Sequence, residues 1–533
     1  MVSLSLASDR YSQLPITYSL CPIPYALFSD LCFAGRLLNA YPSVRILLTI
    51  QSVQVPVSFL NQIQSGALPG PLMMRLKNLR VYLLLVLLLP ILWSQQGTAY
   101  SLLTHQQLID LTWQDSIVPL LLSRYPNLTQ ADLDRARAYA YGGCVIQDVG
   151  YYPFGDKFFS NLTHYVRTGD FVLSLFRNAH NVNELAFAVG ALSHYIGDSF
   201  GHSQATNSAV ALEFPKLRAR YGTSVNYAEG KHQHVRVEFA FDIDQIAEHR
   251  LAPLGYLRHI GIKVPVHQLA LAFYETYGLT EDFGAGAGHK FNVREYRFAT
   301  RTLIPRVAYA VTLLHRKHEP PEPDTTDAAE IEKEAAAAAT LYNWAAYHHK
   351  AGIETHLLAG VLWVLPKFGP LAMVAVKGPT ATAEADYMHS LVSSTTVLRE
   401  RLARFTPPEE RRALPAGATT STETLGPLDL QHPLPNRDLD TGQMVKPGGY
   451  SLTDETYADL LHRLTRDPKL LIPPGIKSDV EAYYSDPNAP IITKQHPDDW
   501  KKVQEELKIL ESMSTSTEAA PYPTYGELNR PSK

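Results

Sequence analysis

From His105 to about Leu314 the chain repeats apolar residues at three-to-four spacing, and alternating strand-like runs are scarce. HQQLIDLTWQDSIVPLLL, DLDRARAYAYGG, DFVLSLFRNA, ELAFAVGALSHYIGDSFGHS and VRVEFAFDIDQIAEHR each present an apolar stripe only when wound as helices. An all-α helical bundle follows. The breaks carry Gly, Pro and Asn, as in GGCVIQDVGYYPFGD and FGAGAGHKF. No strand precedes the second of these, so it reads as a flexible connection rather than a phosphate loop.

At 533 residues the chain exceeds what one core usually organises, and a catalytic domain with appendages is the simplest division. The expected parts are a leader (1–72), an export signal (73–99), a catalytic domain (100–320), a helical extension packing on it (321–405) and a tail (406–533). The KHEPPEPDTTD linker separates the catalytic domain from the extension, whose apolar segment HLLAGVLWVLPKFGPLAMVAV contains Pro366, Lys367 and Pro370. Those residues argue against a membrane span; core packing is the expected fate, with contact with a lipid surface as the alternative. Beyond Phe405 the chain is proline-rich and polar with short helical patches, which predicts a largely disordered tail.

Arg75, Lys77 and Arg80 precede the apolar run Val81 to Trp93, followed by SQQGTA. That order of charge, short apolar core and small residues is the pattern of a secretory signal. A membrane anchor over residues 81–93 is the minority reading, because the run falls short of the roughly 20 apolar residues that a span needs. Such a signal must be N-terminal to be read, which makes residues 1–72 an unstructured leader or an artefact of the start site, with Met73 or Met74 as the true start. Cleavage after Ala99 makes Tyr100 the first residue of the exported protein. Of Cys21, Cys32 and Cys144 only the last lies beyond the signal, so no disulfide framework is expected. The net charge of -4 provides no general attraction to nucleic acid or anionic membrane.

The strongest chemical signal is His194-Tyr-Ile-Gly-Asp198-Ser-Phe-Gly-His202 within a helical pattern. Residues four apart advance by about 40° round a helix, so the three side chains share a face about 80° wide and about 12 Å long. Imidazoles and a carboxylate on one face can hold two nearby divalent ions, with the Asp between them placed to bridge. A solvated polar face, or a set of satisfied buried groups, is the plain alternative. His234-Val-Arg-Val-Glu238 repeats the four-residue spacing among Val235, Val237, Phe239 and Phe241. These neighbours imply partial burial, where an unpaired Glu is costly. A metal removes that cost, and an ordinary pair supported by Arg236 or Lys231 is the alternative. Two such segments in one helical domain point to metal.

HYIGD, the downstream H-x3-E, the aspartate in GGCVIQDVGYYP and a histidine a few residues after a secretory signal together resemble the zinc-dependent phospholipases C, whose relatives include the single-strand-specific zinc nucleases. The resemblance runs from His105 to Asp242 and implies a mostly helical fold holding two or three zinc ions. It implies that Asp148, His164, His194 and Asp198 surround one zinc, that His202, His234 and Glu238 hold a second, and that His105 and the shared Asp198 hold a third. His180 competes with His164 for its place. The position of His202, four residues after Asp198, departs from the family's spacing, so the local backbone there is expected to differ. The family's N-terminal Trp is absent, and the Tyr100 α-amine is the candidate replacement.

Two or three zinc ions with N and O ligands suit phosphoester hydrolysis, because zinc brings the pKa of bound water towards about 7 and ions about 3.5–4 Å apart neutralise phosphoryl oxygens. Asp148 is the candidate general base. Tyr151, Tyr152 and Phe154, with Phe159 nearby, could line a head-group pocket, or could be simple core. Glu238 is similar to the phospholipase branch, and the lack of a basic surplus argues against a nuclease. The expectation is an exported zinc-dependent phospholipase C acting on phospholipid or another phosphodiester, with transient membrane-surface contact. A single-strand nuclease or nucleotidase, with nucleic acid as partner, is the alternative, as is a zinc-binding protein of this fold without turnover. Asn127-Leu-Thr and Asn161-Leu-Thr are glycosylation sequons.

Overall fold

The three-to-four spacing folds as helix after helix. The computed structural model describes residues 101–152, 155–281, 283, 293–315, 325–347, 353–364, 378–405, 434–485 and 496–516, all within one compact unit, Leu89–Lys533. The export signal, the 81–93 run, Tyr100 and Phe154 lie outside the described residues. Those described contain no sheet, only two isolated bridges, Arg437 with Met444 and Ile472 with Thr515. The fold is all-α. Among the described residues no helix is long and apolar enough to cross a membrane.

The helices that build and enclose the site are α1 (Leu102–Thr112), α2 (Gln130–Gly143), α3 (Lys157–Tyr165), α4 (Thr168–Arg177), α5 (Val182–Gly201) and α6 (Lys231–Ala247). Farther along the chain, beyond other helices between 254 and 315, lie α7 (Thr326–Leu341), α8 (Ile353–Val364), α9 (Ala381–Phe405), α10 (Ser451–Thr465), α11 (Pro474–Ser485) and α12 (Pro497–Ser512). Local chemistry sets several starts. The Thr129 hydroxyl accepts from Asp132 N while Asp132 accepts from Thr129 N, a reciprocal cap that satisfies two exposed donors of α2. Asn181 accepts from Asn183 N and Glu184 N at the head of α5.

α5 is buried on every face from Leu185 to Gly201, which makes it the central helix of the bundle. It packs on α2, α4 and α9. The α2 crossing is backbone to backbone, since a Cβ on Gly143 would stand 2.0 Å from the Phe187 carbonyl oxygen. Only glycine permits that approach. Leu108 and Leu111 of α1, Val237 and Phe241 of α6, Ile331 and Ala335 of α7 and Tyr387 and Leu391 of α9 share one apolar cluster. The extension therefore adds to the same core.

Two expectations are corrected here. In α8, Ala359 and Leu362 are buried but Leu357 and Trp363 are 64% and 71% exposed, so core packing of that apolar segment is partial. Residues 366 and 370 lie outside the described residues. The tail is not disordered over 434–485 and 496–516. α10 packs on α3 and α12 and buries Leu452, Tyr457, Leu460, Leu461 and Leu464. The short patches read from the sequence are amphipathic helices whose apolar stripes close on the catalytic domain and on one another. Polar composition outside those stripes concealed them.

Candidate metal centre

α5 carries His194 and Asp198 one turn apart, both buried. His194 Nδ1 donates to the Cys144 carbonyl oxygen at 3.0 Å, a contact that the close α2–α5 crossing makes available. The ring is thereby turned so that Nε2 faces Asp198 Oδ2 at 3.1 Å, Asp148 Oδ1 at 3.7 Å and His164 Nε2 at 3.4 Å. His164, on α3, is oriented in the same way. Its Nδ1 donates to the Ser160 carbonyl oxygen at 2.8 Å, and its Nε2 lies 3.2 Å from Asp148 and 3.3 Å from Asp198. Carbonyl oxygens that fix the far nitrogen are how proteins aim imidazoles at a metal.

One ligand atom from each of Asp148, His164, His194 and Asp198 lies within 4.8 Å of the others, and all four residues are buried. His105, on α1, joins them. Its Nε2 is 3.2 Å from Asp198 Oδ1 and 3.8 Å from Asp148 Oδ2, and its ring stacks on His194 with centroids 4.2 Å apart. Asp198 thus divides its oxygens between His105 on one side and the His164–His194 pair on the other.

A second group follows directly. α5 ends at Gly201 and the chain widens into a π turn, His202–Thr206. Such turns recur at functional sites. His202, His234 and Glu238 bring one ligand atom each within 4.8 Å of one another, all buried. His234 Nε2 donates to the Val225 carbonyl oxygen at 2.6 Å, which leaves Nδ1 facing Glu238 at 3.7 Å. His180, the competitor of His164, is exposed at the head of α5, where its backbone N–H donates to Glu184.

The groups perturb one another. Burial alone would raise the Asp198 carboxyl, but the His194 charge and the adjacent His105 and His164 imidazoles hold it well below the usual carboxylate range. Burial would lower His164, yet Asp148 and Asp198 beside it push it up to about 10. In the second group burial holds His202 well below the ordinary imidazole range and His234 down at about 4. Both are neutral near pH 7, the form that ligates.

A divalent ion fits these residues on their hydrogen bonding. Asp148 Oδ1, both Asp198 oxygens, both His202 ring nitrogens and His234 Nδ1 are buried and make no hydrogen bond, where polar atoms are ordinarily satisfied. Zinc bonds of about 2.0–2.2 Å put two ligand atoms of one ion at most about 4.4 Å apart, close to the spacing seen. Histidines and carboxylates without thiols match the donor set of a catalytic zinc.

Residues 104–281 match the family model of zinc dependent phospholipase C. The match covers about a third of the chain and contains all eight residues that the resemblance assigned to zinc. No curated protein and no solved structure matches the chain. A phospholipase C-type domain with two buried groups of metal-ligating side chains supports a zinc phosphodiesterase.

Around this phospholipase C-type centre the aromatics take distinct places. Tyr151 is buried, its ring 5.1 Å from that of His164 and its hydroxyl donating to Asn161 at 3.2 Å. It backs the imidazole. The half-buried Tyr152 donates to Asp148 Oδ2 at 3.3 Å, and Phe159 packs among Phe171, Phe273 and Phe283.

Two residues escaped the sequence reading. Asp242 accepts from Leu103 N, Thr104 N and the Thr104 hydroxyl at 3.1, 3.0 and 2.7 Å, which caps α1, a helix with no side-chain cap of its own, and so fixes His105. The signal existed, because His234, Glu238 and Asp242 repeat every four residues on α6. Asp440 comes from the tail, outside the matched segment, and its Oδ1 lies 3.4 Å from His202 Nε2. Nothing in its local sequence announces it.

Proposed function

We propose that this chain is an exported, zinc-dependent phospholipase C that cleaves the phosphodiester bond of phospholipid head groups. The observation that carries the proposal is the pair of buried groups, Asp148–His164–His194–Asp198 and His202–His234–Glu238, each with the spacing of ligands to one ion, with His105 against Asp198 at the side of the first. Zinc bound there supplies positive charge for the phosphoryl oxygens and acidifies water. Asp148 turns Oδ1 to His164 and receives the Tyr152 hydroxyl on Oδ2, so it is held at the centre as the acceptor of a proton from water. Asp198 spans His105 and His194 and keeps the two sides of the first group in register. Glu238 and the balanced charge of the chain favour lipid over nucleic acid.

The test offers the zinc-loaded full chain phosphatidylcholine vesicles, a chromogenic phosphodiester and single-stranded DNA. Diacylglycerol release that stops on chelation, and falls about 10²–10⁴-fold in Asp148→Asn, is the expected result. Nucleotide release would make the chain a nuclease of the same superfamily. Bound zinc with no product from any substrate would leave a zinc-binding protein without turnover. Export is read separately, from secreted protein whose N-terminus is Tyr100.

A further inference from the structure

We infer that Asp440 is a further metal-facing carboxylate of the centre, presented by the C-terminal segment and sharing an ion with His202. The inference rests on the zinc reading above.

The segment 434–450 lies against the domain through contacts unrelated to any metal. The Tyr195 hydroxyl donates to the Pro435 carbonyl oxygen at 2.6 Å, Asn436 Oδ1 accepts from Gly169 N and Asp170 N, and Leu439 N donates to the His164 carbonyl oxygen at 3.1 Å. Asp438 accepts from Asp440 N and Thr441 N, which tightens the turn. Gly442, at φ +69, approaches so closely that a Cβ would stand 2.5 Å from the Ser199 carbonyl oxygen. Asn207 Nδ2 donates to the Asp440 carbonyl oxygen at 3.1 Å. The residue is thus pinned on both sides.

Its carboxylate is also aimed. Oδ2 accepts from the Tyr165 hydroxyl at 2.9 Å and the Tyr450 hydroxyl at 2.6 Å, and Oδ1 is turned to His202 Nε2 at 3.4 Å. Hydrogen bonds that occupy one oxygen of a carboxylate and direct the other are the outer-shell pattern of a ligating group. Neither ring nitrogen of His202 makes a hydrogen bond, and the residue is wholly buried. Two ligands of one tetrahedral zinc, with bonds of about 2.0–2.1 Å, stand about 3.3 Å apart. The Asp440–His202 separation matches that figure. His202, His234 and Glu238 supply only three ligands, and Asp440 adds its oxygen from the His202 side.

Zinc binding by the full chain, measured by competition with a chromogenic chelator, tests this together with the rise in Tm on adding zinc. Asp440→Asn keeps the shape and should weaken the loosest zinc at least about tenfold and shrink the zinc-induced rise, with the zinc-free Tm unchanged. Tyr450→Phe removes one aiming hydroxyl and should move both readouts the same way by less. Asp440→Asn with wild-type zinc affinity would overturn the inference. Where Asp440→Asn does not fold, wild-type affinity in Tyr450→Phe overturns it instead. A wild-type chain that binds no zinc sinks the zinc reading first and the inference with it.

Discussion

Gly190 of α5 lies flat on the backbone of α2, so that a Cβ at this position would stand 2.2 Å from the Ala140 carbonyl oxygen and 2.7 Å from Cys144 N. The same crossing brings the Cys144 carbonyl oxygen to His194 Nδ1. Packing and ligand orientation are therefore one event at this point.

Gly190→Ala must push two backbones apart, and overpacking of that kind costs about 1–3 kcal/mol or more. The expected outcome is a lower urea midpoint together with weaker zinc binding, because His194 loses its anchor. A variant that lost stability but bound zinc as tightly as wild type would show that the crossing and the centre are independent.

Arg137 is a fully buried cation. Its guanidinium pairs with Asp110, donates to the Tyr256 hydroxyl at 2.7 Å and lies 3.8 Å from the centre of the Tyr342 ring, with Trp113 on another side. Removing one charge of such a pair strands the other, at a cost of about 3–5 kcal/mol. Asp110→Asn should lower stability by that amount in urea unfolding. A loss below about 1 kcal/mol would mean that the aromatic box alone accommodates the cation.

Glu384 sets a pH dependence through a group that is not among the metal-ligating side chains. Burial, then the neighbouring charge of Asp244, pushes its carboxyl up to about 8 against the pull of Arg250. An unfolded Glu ionises near about 4.3. Between these values the folded chain holds a proton that the unfolded chain has lost, so this group makes stability fall as pH rises from about 4.3 to 8. Glu384→Gln should remove that fall, making the difference in urea midpoint between pH 5 and pH 8 smaller than in wild type by an amount worth about 1 kcal/mol or more. Identical differences in the two proteins would rule out Glu384 as the titrating group.

The bundle was legible because burial of a helix leaves a periodic trace, and α1, α2, α5 and α6 all carry it. The ligand pairs His194–Asp198 and His234–Glu238 were legible for the same reason, since four-residue spacing places side chains on one face whatever the helix packs against. Asp148 and His164 carry no such trace. Their places followed from the resemblance, and the fold puts them beside Asp198 through a 3-10 turn (Gln147–Tyr151) and α3.

The amino-acid sequence by itself determined that the chain is helical and which turns of α5 and α6 offer imidazole and carboxylate together, because both are properties of short stretches. Tertiary structure alone decided that the tail folds back, that Asp242 caps α1 from another helix, and that Asp440 faces His202. Each of these depends on groups separated by more than a hundred residues meeting in a dry interior, where hydrogen bonds between them replace water. Such meetings leave no periodicity in the chain that makes them.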